Sequence, residues 1–216
     1  MKRPVSKPRP RGRPPRAPQE SEARRQAILD AALVEFAAHG FAAARLDDVA
    51  RRAGIAKGTL YLYFADKEAL FEALVRGAIK PLLDNLQQVA ALPAVPTRQV
   101  LKLLFSTFAR EVLGSDRKLL LRLLITEGGR FPRLVAFYHA EIVTPGLALM
   151  RALMTRAAER GEIASDAPAR FPQLVMAPLL LAIVWDMLFG RVAPLDTEGL
   201  IDAHVALLMG EGRATP

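Results

Sequence analysis

The chain has 216 residues and a formal net charge of +8 at pH 7, and it contains no cysteine. The lack of thiols excludes disulfides and thiolate metal sites, and 51% hydrophobic residues with 24% charged residues are typical of a globular protein. Residues 1–63 contain 13 Lys or Arg and 6 Asp or Glu, whereas residues 64–216 contain 17 and 16. This concentration of positive charge indicates a segment that meets nucleic acid or an anionic membrane.

The N-terminal arm, residues 1–20, combines prolines with arginines and has no apolar periodicity, which predicts disorder in the free protein. Arg11, Gly12, Arg13 and Pro14 have the form of an AT-hook core. In such a core an extended Arg-Gly-Arg segment lies along a narrow A·T minor groove. A generic basic arm that adds only counterion release explains the same residues equally well. Arg11 and Arg13 are therefore candidate DNA contacts under either interpretation.

The next segment, residues 21–66, predicts three helices. "SEARRQAILDAALVEFAAHG" repeats apolar residues every three or four positions up to a stop at Gly40. "RLDDVARR" and "KGTLYLYF" then predict two shorter helices on either side of a turn at Gly54. Two short helices joined by a glycine-containing turn are the helix-turn-helix pattern.

The rest of the chain, residues 67–216, carries helical patterns without strand alternation. The prediction is an all-α protein with an N-terminal three-helix helix-turn-helix domain and a larger C-terminal helical domain. Its most apolar stretch, residues 174–189, contains Pro178 and Asp186 and is shorter than the ~20 residues of a membrane span. We expect a buried helix there and no membrane contact. The N-terminus lacks a secretory signal, which favours a cytoplasmic protein.

A specific family pattern covers residues 28–75, "ILDAALVEFAAHGFAAARLDDVARRAGIAKGTLYLYFADKEALFEALV". This stretch resembles the TetR/AcrR family of bacterial transcriptional repressors, whereas the remaining two thirds resembles the family only in its helical architecture. The resemblance implies a helix-turn-helix that binds operator DNA. It also implies a C-terminal domain that binds a small ligand and forms a homodimer.

Polar residues at the predicted recognition helix are the candidate DNA contacts. Lys57 offers a cation to a phosphate or a guanine edge. Gly58 allows close approach to the bases, and Thr59 offers a hydroxyl and a methyl group. Tyr61 and Tyr63 place phenolic hydroxyls within reach of backbone phosphates.

Other candidates flank this helix. Lys67 lies in the first turn of the next helix, where free backbone N–H groups also favour a phosphate. Arg45 stands where family members often have a Ser or Thr cap, so it either contacts a phosphate or pairs with Asp48. Leu62 is apolar where a polar residue is common, which argues against base readout there unless it packs on a thymine methyl.

The C-terminal domain is expected to enclose an apolar pocket, although most of its large apolar residues could equally be core. The candidates are apolar side chains on several helices with three polar anchors: Leu104, Phe108, Ile125, Phe137, Met150 and Trp185, with Glu127, Arg130 and Tyr138. The last two helices, beginning with the apolar stretch, are expected to form the homodimer seam.

Catalytic and metal sites are not expected, and neither is a cofactor. His139 and Glu141 are two positions apart on a helix and so point to different sides. The sequence therefore predicts a homodimeric, non-enzymatic repressor that leaves a palindromic operator when a small hydrophobic ligand binds. The alternatives are a nucleoid-type DNA-binding protein without an effector and a helical carrier of apolar molecules.

Overall fold

A computed structural model describes residues 18–90 and 95–210. These residues form α-helices and two π-helical turns, Ala109–Leu113 and His139–Val143, without any β-strand. The helices in chain order are α1 (Pro18–Ala43), α2 (Leu46–Arg52), α3 (Lys57–Tyr61), α4 (Lys67–Ala78), α5 (Lys80–Ala90), α6 (Thr97–Phe108), α7 (Lys118–Glu127), α8 (Pro132–Tyr138), α9 (Thr144–Glu159), α10 (Ala167–Arg170), α11 (Gln173–Phe189) and α12 (Thr197–Leu208). The predicted all-α architecture, with a helix-turn-helix followed by a larger helical domain, is confirmed.

One hydrophobic core joins α1–α4 to α7 and α8. Leu60 of α3 and Phe71 of α4 are fully buried in it, together with Leu120 of α7 and Leu134 of α8. The predicted boundary between residues 66 and 67 therefore runs through a continuous core. A segment as short as α1–α3 buries only part of the apolar surface that an independent domain would need. The helix-turn-helix is thus packed directly on the C-terminal helices.

A second core lies among α6, α9, α11 and α12. Leu101, Met154, Val175 and Val205 are completely buried there. Among the helices of residues 18–90 and 95–210, none has the length and the run of apolar residues that crossing a bilayer requires.

Two helix boundaries have irregular backbone geometry. The helix that was expected to stop at Gly40 breaks there, with φ +74° and ψ 170°, and resumes for one turn. Helix α9 continues a helical rod that runs from α8 through the turn His139–Val143. Pro145 lacks an N–H and its ring clashes with a regular carbonyl four residues earlier. A wider π-helical turn directly before it relieves that clash.

Candidate nucleic-acid interface and ligand cavity

The short helix α3 is anchored on one side and open on the other. Leu60 and Phe64 are buried in the core shared with α1 and α4. Lys57 and Gly58 are exposed, and Thr59 is half-buried. No atom lies within 4 Å of a Cβ placed at Gly58. The polar beginning of α3 can therefore approach another surface closely, as insertion into a DNA groove requires.

The end of α3 presents two large side chains. Tyr61 is 46% exposed, and Leu62 is 84% exposed. Tyr63 is half-buried instead, and its hydroxyl lies 3.4 Å from Oγ of Ser21 on α1. Of the two predicted phenolic contacts, Tyr61 is presented to solvent, whereas Tyr63 lies against the first helix.

Lys57 is paired with a carboxylate of the preceding helix. Its Nζ lies 2.8 Å from Oδ1 of Asp47 on α2. The hydrogen bond to Asp47 and the attraction of its negative charge raise the pKa of Lys57. The pair is solvent-exposed, so it positions the ammonium without burying it. A DNA phosphate arriving at Lys57 would compete with this carboxylate.

Arg45 adds a second cation near the first. It precedes α2 in extended backbone conformation, and its side chain does not cap the helix. The pairing with Asp48 considered above is absent, because Asp48 pairs with Arg51 at 2.6 Å. The positive charge of Arg45 slightly opposes the raised pKa of Lys57. Arg45 is exposed and makes no ion pair within the described residues.

A buried carboxylate, which the sequence analysis missed, fixes α2 against α1. Glu35 of α1 is 4% exposed. It accepts a hydrogen bond from Nε of Arg52 at 2.8 Å, and Nε2 of His39 lies 3.5 Å away. Its position on the inner face of an apolar helix is the one sequence signal that could have drawn attention to it. A buried charge needs such partners, so this cluster holds the orientation of the helix-turn-helix.

Lys67, a predicted phosphate contact, has a structural role in the described chain. Its Nζ donates hydrogen bonds to the carbonyl oxygens of Phe41, Ala42 and Ala44, at 2.7, 2.9 and 3.0 Å. An ammonium group has three protons to donate, so these three carbonyls use its capacity. Lys67 therefore caps the carbonyl end of α1. Its contact with a DNA phosphate stays a prediction, and the phosphate would have to compete with these carbonyls.

Glu127 binds the backbone N–H groups of the same short segment, whereas Lys67 binds its carbonyl groups. Its Oε1 accepts from the N–H of Phe41 at 2.7 Å, and its Oε2 accepts from the N–H of Ala42 at 2.9 Å. These N–H groups are free because the helix breaks at Gly40. We call residues 41–44 the elbow turn. Glu127 at the end of α7 holds its N–H groups, and Lys67 at the start of α4 holds its carbonyls.

An apolar cavity of about 240 Å³ lies in the C-terminal domain. It is bounded by α5, α6, α7, α8, α9 and α11 and by the segments adjoining them. Its walls are Ile79, Leu82, Leu83, Leu86, Phe108, Val112, Leu121, Tyr138, Ile142, Val143, Gly146, Leu147, Gln173, Met176, Leu179 and Leu180. Its size approaches the ~300 Å³ at which small-molecule sites begin. Leu121 is on α7, the helix that ends in Glu127, so α7 joins the cavity wall to the elbow turn.

Comparison with known protein families matches both parts of this architecture. Residues 28–74 match the model for bacterial regulatory proteins of the tetR family. Residues 96–208, more than half of the chain, match the model for the tetracyclin repressor-like C-terminal domain. The chain belongs to the TetR family.

Individual relatives match only part of the chain and only part of their own length. The chain is 41% identical over 63 residues to the HTH-type transcriptional regulator SrpR of Pseudomonas putida, covering 29% of this chain and 30% of SrpR. The first three curated relatives are matched over 22% to 36% of their lengths.

Solved structures extend the likeness to nearly the whole fold. FadR of Bacillus subtilis in complex with stearoyl-CoA superposes with a TM-score of 0.73 at 21% identity, covering 86% of this chain and 98% of FadR. The SmeT–triclosan complex superposes with a TM-score of 0.64 at 21% identity, covering 90% and 95%. At this identity the likeness establishes the fold alone.

The predicted pocket residues of this TetR-family chain divide into two groups. Phe108 and Tyr138 lie on the cavity wall. The other seven lie elsewhere: Leu104 and Met150 in the second core, Ile125 at the surface, Glu127 on the elbow turn, Arg130 beside the Phe131 ring, Phe137 beneath Arg76, and Trp185 edge-to-face with Phe189. Glu127 and Trp185 already have polar partners, since Nε1 of Trp185 donates to the carbonyl of Ala193 at 2.7 Å.

Other predictions concern the arm and the absence of metal. Arg11 and Arg13 lie outside the described residues, so their contact with DNA stays a prediction. Within the described part of the chain, no three His, Cys, Asp or Glu side chains come together to hold a metal ion.

Proposed function

We propose that this TetR-family protein is a sequence-specific transcriptional repressor, which acts without catalysis in the bacterial cytoplasm. It binds a near-palindromic operator and is released by a small apolar effector. The observation that carries the proposal is the open beginning of α3. There Lys57, Gly58 and Thr59 are accessible above a buried Leu60, and Arg45 adds a nearby exposed cation. This arrangement fits insertion into a major groove with flanking phosphate contacts.

An exposed apolar stripe on α11 supports a homodimer. Leu174, Ala177, Leu181, Val184 and Leu188 are all exposed. They recur at alternating spacings of three and four residues, which is the pattern of a helix that packs along another helix. Pairing this stripe, together with α12, across a two-fold axis would bury it. The two recognition helices could then enter successive major grooves about 34 Å apart.

The cavity supports regulation by a small molecule. Its walls are almost wholly apolar, and structures of the same fold were solved with stearoyl-CoA and with triclosan. A ligand that favours one arrangement of α4 and α7 would change operator affinity, typically by ~1–3 kcal/mol of coupling free energy. The elbow turn, held by both helices, is the natural connection to the helix-turn-helix.

The experiment is selection of bound sequences from a random double-stranded DNA library at about 150 mM salt, where non-specific attraction is weakened. The wild-type chain should recover a palindromic motif, and the Lys57→Ala/Tyr61→Ala variant should lose it. Lys80→Ala is the matched control, because Lys80 is comparably exposed and is also paired with an aspartate, Asp84.

The alternatives give different outcomes in the same selection. Binding without any motif would overturn the proposal in favour of a nucleoid-type protein. No DNA binding, with retained affinity for apolar molecules, would favour a carrier. An Arg11→Ala/Arg13→Ala variant tests the arm separately, because minor-groove readout predicts that only an A·T-rich flank disappears from the motif. Loss of affinity without a change of motif would indicate a purely electrostatic arm.

A further inference from the structure

The walls of the cavity hold no charge that could balance an ion. None of the sixteen lining residues is Asp, Glu, Lys, Arg or His. A charged ligand group that enters such a space loses its hydration and gains no partner of opposite charge, which is strongly unfavourable. The cavity therefore selects against carboxylates, phosphates and ammonium groups at the position of the walls.

Tyr138 is one of two polar side chains on the otherwise apolar wall. Burial raises the pKa of its hydroxyl, so the group keeps its proton and is available as a hydrogen-bond donor. The hydroxyl makes no hydrogen bond to another group within the described residues, although the residue lies on the cavity wall. Tyr138 is partly buried, and a ligand that supplies an acceptor gives its hydroxyl the partner that the surrounding side chains do not provide.

The other polar side chain of the wall, Gln173, is more exposed to water than Tyr138 is. It is the first residue of α11 and is exposed, so water can satisfy its amide. It therefore adds no unmet hydrogen-bonding demand inside the cavity. Among the side chains of the wall, Tyr138 therefore supplies the partly buried donor that no protein group satisfies.

We propose that the cavity binds an uncharged lipophilic molecule that presents one hydrogen-bond acceptor, such as a ketone or ether oxygen, to the hydroxyl of Tyr138. The inference rests on the proposed function only in naming this molecule the effector; the binding itself can be measured without DNA.

Three probes of nearly the same shape test the proposal by calorimetry at about pH 7.5, where the probe carboxylate is ionised. Benzophenone carries one ketone acceptor, diphenylmethane replaces that ketone by CH₂, and 4-benzoylbenzoate adds a carboxylate. Benzophenone should bind, and the carboxylate should bind about 100-fold more weakly or not at all.

The Tyr138→Phe variant isolates the hydrogen bond. Removing an unpartnered hydroxyl should not impair folding. The ratio of the benzophenone and diphenylmethane affinities should fall by about fivefold in this variant, because only the ketone loses a partner. Comparing ratios removes the difference in hydrophobicity between the two probes.

A second variant locates the binding. Gly146 lines the cavity, and no atom lies within 4 Å of a Cβ added there. Gly146→Val should therefore fill part of the space and weaken benzophenone and diphenylmethane alike, without changing their ratio.

Several outcomes would overturn the proposal. These are failure of benzophenone to bind, equal binding of the carboxylate, an unchanged ratio in Tyr138→Phe, or undiminished binding in Gly146→Val. A chain that binds benzophenone as expected but selects no DNA motif would keep this inference and reject the proposed function. A chain with a motif and no probe binding would do the reverse.

Discussion

Replacing Glu127 by Gln should loosen the helix-turn-helix from the C-terminal domain. The carboxylate accepts from the N–H groups of Phe41 and Ala42, one with each oxygen. Glutamine has the same shape but keeps only one acceptor oxygen, and its NH₂ group would face the other N–H. One of the two backbone donors therefore loses its partner, and the remaining hydrogen bond loses its charge.

The size of the effect follows from this geometry. A hydrogen bond to a charged acceptor contributes about 1.5–3 kcal/mol. The N–H of Phe41 is partly buried, whereas that of Ala42 is exposed to water, which compensates part of the loss. We expect the free energy of unfolding to fall by about 2 kcal/mol, which corresponds to a lower Tm by roughly 4–8 °C in a chain of this size.

Denaturant unfolding measures the change in the free energy of unfolding, and hydrogen exchange tests whether the elbow turn opens more easily. The amide protons of Phe41 and Ala42 should exchange faster in the variant, because local opening of the elbow turn becomes easier. Glu159→Gln is the control, since Glu159 is exposed and makes no hydrogen bond or ion pair within the described residues. It should change unfolding by less than about 0.5 kcal/mol.

The reasoning is refuted if Glu127→Gln unfolds like the control and both amides keep their protection. A further check uses Gly40, where a Cβ would collide with Oε1 of Glu127 and where φ +74° disfavours any other residue. Gly40→Ala should cost more in the wild-type background than in Glu127→Ala. Additive costs would mean that the two residues do not act on each other.

Three further predictions concern single residues. Lys67→Met should lower the free energy of unfolding by about 2–3 kcal/mol, because three carbonyls lose a charged donor; thermal unfolding measures it, and a neutral effect would contradict the capping role. Asp47→Asn should raise operator affinity, because Lys57 loses its competing carboxylate; titration at several salt concentrations checks this, and unchanged affinity would mean that Lys57 does not meet DNA. Burial lowers the pKa of His204, so its protonation favours the unfolded chain; stability should fall as the pH drops below about 6.5, the unfolded pKa, and less so in His204→Leu.

The helix-turn-helix half of the candidate site could be predicted from sequence because its signals are local. The turn at Gly54 has φ +67°, and Leu60 and Phe64 recur at helical spacing on the buried side. Such periodicity assigns one side of a short helix to the core, which leaves Lys57 and Gly58 on the other side. The spacing alone thus distinguishes the side of α3 that packs in the core from the side that is open for contact.

The roles of Lys67 and Glu127 could not be predicted in this way. Their partners are backbone atoms, which carry no sequence signature, and those of Glu127 lie 86 and 85 residues away. A lysine at the first turn of a helix after a recognition helix is compatible with a phosphate or with a carbonyl cap. Only the position of the elbow turn decides between them.

The residues that line the cavity could not be predicted from the sequence either, for a different reason. Leu104 and Leu147 are both leucines on amphipathic helices, yet Leu104 is core and Leu147 borders the cavity. A pattern of apolar residues states which side of a helix avoids water, and it does not state whether that side meets another side chain or an empty space. The volume left between helices depends on how all of them pack.

The elbow turn connects the cavity physically to the helix-turn-helix and so to the proposed DNA surface. Ile79, directly after α4, and Leu121 of α7 both border the cavity, while α4 and α7 carry Lys67 and Glu127 to opposite polar ends of the same turn. Moving α4 relative to α7 must stretch one of these hydrogen-bonded contacts, since one turn cannot follow both helices. Arg45 and α2 come directly after the turn, so we expect the strain to reach the helix-turn-helix. By reciprocity, fixing the turn on DNA should in equal measure disfavour the cavity shape that the effector prefers.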